Sequence, residues 1–217
     1  MTVYLYAICS ADAPAPPWLA ERGLRYVERS GLAAVVGDEP GDLTAPSEED
    51  LWAHEQVVES LMDAHDLLPA RFGGLLRSDE EVWSLLDERS AELRRALDNV
   101  RGAVELAVRA GWRAEPDRRG DARSTGSEYM ADYASHDARA RALAECLDDA
   151  VSALARDKSV RVLPRRLSAV TGAYLVDTPR VEDFRRRIER LNDELSDAEI
   201  VCTGPWPPYS FAGDASR

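Results

Sequence analysis

Apolar and polar positions along the chain change period several times, and each change marks an element. From Thr2 to Ile8, Val3, Leu5 and Ala7 alternate with Tyr4, Tyr6 and Ile8. Both sets are apolar or aromatic, which predicts a strand buried on both faces. ADAPAPPW (Ala11–Trp18) has three prolines and predicts a connector. Leu24–Glu28 and Leu32–Val36 flank Ser30-Gly31 as the arms of a hairpin. A second connector, Asp38–Pro46, leads to Ser47 and Asp50, a capping box opening a helix with Leu51, Val58, Leu61 and Met62. Leu67–Leu76 is strand-like around Gly73-Gly74. Ser78 and Glu81 form a second capping box before a helix with Val82, Leu85, Leu86, Leu93 and Leu97 on one stripe, and Val104–Val108 follows as a strand.

The second half continues the alternation. Leu143, Leu147, Val151 and Leu154 stripe a long helix, and Val170–Val176 is a strand. Thr178-Pro179 opens a helix whose Val181, Phe184, Ile188, Leu191 and Leu195 recur every three or four residues. Ile200–Thr203 is a last short strand. The fold class is α+β, in two small domains. The first, residues 1–111, is a modified ferredoxin-like sandwich. The second, residues 112–217, is an α+β unit with long helices and a short sheet. It begins in a charged loop (113–127) and ends in a proline-aromatic strap (203–211). The two halves read as similar units, although the sequence has no repeat of solenoid period.

Composition narrows the function. With 27 Lys and Arg against 40 Asp and Glu, the net charge of -13 disfavours nucleic acid and anionic membranes as partners and leaves proteins. Cys9, Cys146 and Cys202 stand far apart in apolar contexts, without a CxxC pair, and read as small buried hydrophobes in a reducing compartment. With no secretory signal and no apolar run of the ~20 residues a membrane span needs, the expected location is the cytoplasm.

Candidate chemistry is sparse. HEQVVESLMDAH begins like a zincin helix, but Val58 stands where the second histidine belongs. His65 lies ~16 Å further along the axis, too far to share a metal with His54. His54 therefore reads as a hydrogen-bonded histidine at the core edge, and His136, beside Asp137, as a surface residue. There is no GxSxG elbow, Walker loop, GxGxxG or HxE…CxxC, and the carboxylates of DERSAELRR and RRRIERLNDE keep arginine company on solvated helix faces. No cofactor or metal site is expected. PARFGG (Pro69–Gly74) reads as a bulge whose Arg71 enters an internal ion pair, or else as a binding site. TGPWPPYSF contains PxxP (Pro205 to Pro208), but three large aromatic side chains argue for a proline-stiffened strap fastening the terminus to a core rather than a ligand for a partner's groove.

Taken together, the VYLYAI start, GLAAVV after the hairpin turn, HEQVVESLM…LLPARFG, GAYLVD and the terminal TGPWPPYSF resemble the gas vesicle protein F/L family. The pairing of PARFG with GPWPPYSF is the specific part; residues 113–136 carry no motif of that family. The resemblance implies a non-enzymatic, cytoplasmic and gas-vesicle-associated accessory or minor structural protein. It would bind the hydrophobic shell protein during assembly, alongside other gas vesicle accessory proteins. His54, Pro69, Arg71, Phe72 and Gly73 are expected as a structural cluster. Gly204, Pro205, Trp206, Pro207, Pro208, Tyr209 and Phe211 are expected as the second motif, with Trp206 and Tyr209 the residues most felt in folding or partner binding. Two rivals are a small-molecule-sensing ferredoxin-like module, which requires an enclosed pocket at Arg71, and an enzyme with two carboxylates converging in a cleft.

Overall fold

The computed structural model describes residues 2–12, 14–38, 46–113, 126–163 and 168–213, the side chains of 126–133 excepted. Most of the connector predicted over Asp38–Pro46 and of the charged loop over 113–127 lies outside them.

Two compact units emerge, and they do not divide the chain into two halves. One comprises Met1–Ala103 together with Trp206–Arg217, the other Val104–Pro205. The division expected between residues 111 and 112 falls instead inside a strand that runs from Ala103 to Trp112.

In the first unit, β1 (Val3–Ser10) is central in a sheet ordered β2-β3-β1-β4, where β2 is Arg25–Arg29, β3 Leu32–Gly37 and β4 Leu67–Pro69. The hairpin turns where expected. Arg29 pairs with Leu32 across Ser30 and Gly31, whose φ angles of 52° and 69° supply the two left-handed positions of a two-residue turn. A single helical turn, α1 (Trp18–Glu21), went unrecognised among the prolines; its Leu19 is buried. With α2 (Glu48–Met62) between β3 and β4, the succession is β-α-β-β-α-β, that of a ferredoxin-like sandwich.

The strict alternation read in β1 does not hold along its length. The register to β3 shifts between Leu5 and Ala7, and this irregularity rotates the following residues by one position. Tyr4, Tyr6, Ala7 and Cys9 consequently join one buried cluster with Val57, Val58 and Leu61 of α2, while Val3, Leu5 and Ile8 are buried outside it. The capping box at Ser47 forms in full: Ser47 Oγ accepts from the Asp50 amide at 3.1 Å and the Asp50 carboxylate accepts from the Ser47 amide at 2.9 Å. The one at Ser78 does not. Its side chain caps nothing, and Glu81 reaches the Arg77 amide instead. The single helix expected beyond it is two, α3 (Asp79–Glu88) and α4 (Ser90–Val100), because Arg89 leaves helical torsions (φ −108°, ψ 11°).

The second unit repeats the plan. β6 (Ala103–Trp112), α5 (Gly126–Val151), β7 (Asp157–Val162), β8 (Ser168–Asp177), α6 (Val181–Glu194) and β9 (Ala198–Trp206) form a sheet ordered β7-β8-β6-β9. Position for position this is the strand order of the first unit. Leu143, Leu147 and Val151 of α5 and Phe184, Ile188 and Leu191 of α6 pack on Leu106, Val108 and Tyr174. Pro179 starts a 3-10 turn (Thr178–Arg180) that runs into α6. Strand β7 was missed because DKSVRV is exposed at five of six positions; its identity comes from a six-residue register with β8.

All three cysteines are free, Cys9 buried and the others half-buried. Burial pushes the thiols of Cys9 and Cys202 above the ordinary range, leaving little thiolate to react. In native protein at pH 8, Cys9 is expected to resist a disulfide-exchange reagent until denaturant is added. Its full labelling within minutes under native conditions would contradict this packing.

Candidate functional site

The segment after β4 sets the geometry. Ala7 of β1 pairs with Pro69, and Val3 pairs with Leu76 in the two-residue strand β5 (Leu75–Leu76). Four steps on β1 therefore face seven on the partner, three residues in excess. Ala70 donates to the Tyr6 carbonyl at 2.9 Å and Leu5 donates to the Gly74 carbonyl at 2.8 Å, so the ladder closes on either side of Arg71, Phe72 and Gly73. PARFGG is thus a wide bulge. Gly73 has φ +95° with open space around an added Cβ, so its requirement is conformational. Gly73→Ala is expected to destabilise by about 1–2 kcal/mol in urea denaturation through backbone strain alone.

The bulge is held from below by one histidine. His54 of α2 is completely buried, and its Nε2 lies 3.0 Å from the Ala70 carbonyl. A carbonyl only accepts, so Nε2 carries the proton. Nδ1 of the neutral ring then accepts from the Tyr4 hydroxyl at 3.0 Å, and the Tyr4 oxygen in turn accepts from the Gly73 amide at 3.0 Å. Burial lowers the pKa of His54 and pushes that of Tyr4 up to about 12, which keeps both groups in these forms near neutrality. Tyr6 stacks on the imidazole with centroids 5.4 Å apart, and Phe72 meets it edge-on at 5.8 Å.

The terminal motif arrives beside this centre. Strand β9 runs further than expected, through Pro205 to Trp206, which an edge strand permits. Gly204, at φ +113°, turns its carbonyl to Arg185 of α6. Beyond it Pro207, Pro208 and Phe211 are buried. Tyr209 packs on the cluster of Tyr4, Tyr6 and Val58 and donates to the Glu55 carboxylate at 3.0 Å. Burial raises the pKa of Glu55, and burial next to that carboxylate raises the Tyr209 phenol. Trp206 stays 41% exposed.

His54, Pro69, Phe72, Gly73, Pro207, Pro208, Tyr209 and Phe211 thus lie in one unit, where Phe72 meets the His54 ring and Tyr209 packs on the cluster of Tyr4 and Tyr6. Gly204 and Pro205 lie in the other. Arg71, expected in an internal ion pair, stands exposed in the bulge and makes no ion pair among the described residues. Sequence reasoning missed Tyr4, Tyr6 and Glu55. The adjacency of Glu55 to His54 was the available signal, since neighbours on a helix reach different partners. Among the described residues, no three His, Cys, Asp or Glu side chains gather in a way that holds a metal ion.

These two motifs bear directly on ancestry. A family model for the gas vesicle synthesis protein GvpL/GvpF matches residues 2–213. The chain belongs to the GvpL/GvpF family. Gas vesicle protein F of Streptomyces sp. (strain CB03234) is 28% identical over 97% of this chain and 99% of its own. Gas vesicle protein L of the same organism is 32% identical over 89% of this chain and 84% of its own. The crystal structure of GvpF from Anabaena sp. PCC7120 shares the fold, with a TM-score of 0.80 at 20% identity across 97% of this chain and 98% of that one. Membership in the GvpL/GvpF family carries a role in gas vesicle formation, and the family is not a known enzyme class. No helix among the described residues is long and apolar enough to cross a membrane.

Proposed function

We propose that this GvpL/GvpF protein is a non-enzymatic accessory or minor structural component that binds the hydrophobic shell protein, together with other gas vesicle accessory proteins, as the vesicle is built. The reading is carried by where the two specific motifs go. Tyr4, His54, Ala70 and Gly73 are joined in one hydrogen-bond chain and Tyr209 with Glu55 in a second, part-buried pair, so the motif residues hold a surface in shape. A shell subunit with a water-repelling face aggregates unless its apolar surface is covered before assembly. An acidic protein that covers it also keeps the complex soluble.

The test is co-expression of the tagged chain with the shell protein, followed by affinity capture and crosslink mapping. Shell protein is expected in the captured fraction, with crosslinks to this chain. In a host that makes vesicles, deletion of the gene with the shell-protein gene retained is expected to abolish or deform them. Normal vesicles in that strain, with no captured shell protein, would refute the proposal.

A further inference from the structure

We propose that the outward face of α2 is the docking surface for the shell protein, and that it receives a cationic amphipathic segment, one carrying Lys or Arg beside an apolar stripe. The inference rests on the shell-binding reading above and specifies where and by what chemistry that binding occurs.

Trp52 is 65% exposed, the most exposed large apolar side chain among the described residues, and Leu51 beside it is 42% exposed. Folding does not need Trp52 there. At ~100° per residue it projects ~170° away from the stripe of His54, Val57, Val58 and Leu61 that buries the helix. On the same wheel Glu48, Glu49 and Glu55 are its neighbours at four and three positions before and three after, and Glu59 continues the row two turns on.

Along α2 itself the charge beside Trp52 is of one sign. α2 contains no Lys or Arg, and Glu48, Glu49 and Glu59 make no ion pair among the described residues. Other helices have their carboxylates answered: α3, which also lacks Lys and Arg, by Arg25 and Arg29 of β2, and α4 and α6 by arginines on or flanking the helix. Arg89 pairs with Glu92 at 2.7 Å and Arg101 with Asp98 at 2.6 Å, while α6 pairs Arg185 with Glu182 at 3.0 Å and Arg186 with Asp183. Acidic residues in the first turn suit the positive end of a helix. That accounts for Glu48 and Glu49, but not for Glu59, nor for an indole set among carboxylates.

A partner guanidinium or ammonium over the indole face would gain both a cation–π contact and ion pairs, while the partner's apolar side chains cover Leu51. A second copy of the same acidic face is disfavoured by like-charge repulsion.

The experiment uses the full chain and two variants, W52A and the triple E48K/E49K/E59K, with three readouts. The first is capture of co-expressed shell protein. The second is titration with a synthetic Leu/Lys amphipathic helical peptide and with its Leu/Glu counterpart. The third is the melting temperature, expected within a few degrees of wild type for W52A because Trp52 is largely exposed, and lower but still cooperative for the triple variant, which reverses charge in the first turn and at half-buried Glu59. The proposal expects at least ten-fold weaker Leu/Lys binding and loss of shell-protein capture in each variant, with binding falling as salt rises. Equal binding of the Leu/Glu peptide, or wild-type capture by the triple variant, would overturn the cationic assignment. Undiminished capture by both variants would overturn the surface while leaving shell binding intact. Absence of capture by the wild-type chain would instead remove the shell-binding reading itself. A Trp52-dependent dimer in sedimentation would make a second copy the occupant and overturn the proposal too.

Discussion

His54→Ala is expected to destabilise the first unit by about 3–5 kcal/mol. The substitution opens a cavity beneath the bulge and strips partners from the Tyr4 hydroxyl and the Ala70 carbonyl in a single step. Urea denaturation followed by tryptophan fluorescence measures it, and a loss below about 1 kcal/mol would mean the hydrogen-bond chain contributes little. The pH dependence is more specific. The imidazole titrates lower when folded than when unfolded, so between those values only the unfolded chain takes up the proton. Stability contributed by His54 is fully present above about pH 6.5 and declines as pH falls, with a slope approaching about 1.4 kcal/mol per pH unit. His65 is shifted in the same direction, and Glu55, raised by burial, acts oppositely in the window above its unfolded value. The difference between wild type and His54→Gln isolates the His54 part. Parallel curves between pH 5 and 7 would show that the ring ionises freely in the fold.

The second large effect lies at the terminal strap. Phe211→Ala is expected to destabilise the first unit by about 3 kcal/mol, and removal of residues 206–217 by more, because Tyr209 leaves the core with it. Tyr209→Phe separates packing from polarity. It keeps the ring and loses only the bond to Glu55, for a cost near 1 kcal/mol. The melting temperature should fall least for Tyr209→Phe, more for Phe211→Ala and most for the truncated chain. A truncated chain that melts with the wild type would mean the strap merely lies on the surface.

Periodicity carried most of the fold because burial here follows helix and strand geometry closely. Val181, Phe184, Ile188 and Leu191 are all buried on α6 as their spacing requires. It failed where the deciding interaction is remote in sequence. β7 is a strand because β8 lies beside it, although its own residues are exposed. The exchange of faces within β1 depends on an irregular register with β3 that no local pattern records. The candidate site was legible as parts and not as a whole. PARFGG and GPWPPYSF are visible as motifs, but their convergence on α2 is a tertiary fact. A charge next to glycines suggests an internal pair, whereas Arg71 stands exposed among the three excess residues of the bulge.

The return of the last residues to the first unit also has a temporal side. A nascent chain emerges in order, so the N-terminal unit cannot be finished when its own first hundred residues appear. Ribosomes must add about a hundred more, at about 5–20 residues per second, before Tyr209 and Phe211 reach their seats. For roughly 5–20 seconds the sheet that binds them is complete in strands yet open along α2. Tethering by a late-arriving closure means that a prematurely terminated chain exposes an unsealed hydrophobic seam, a ready mark for quality-control proteases.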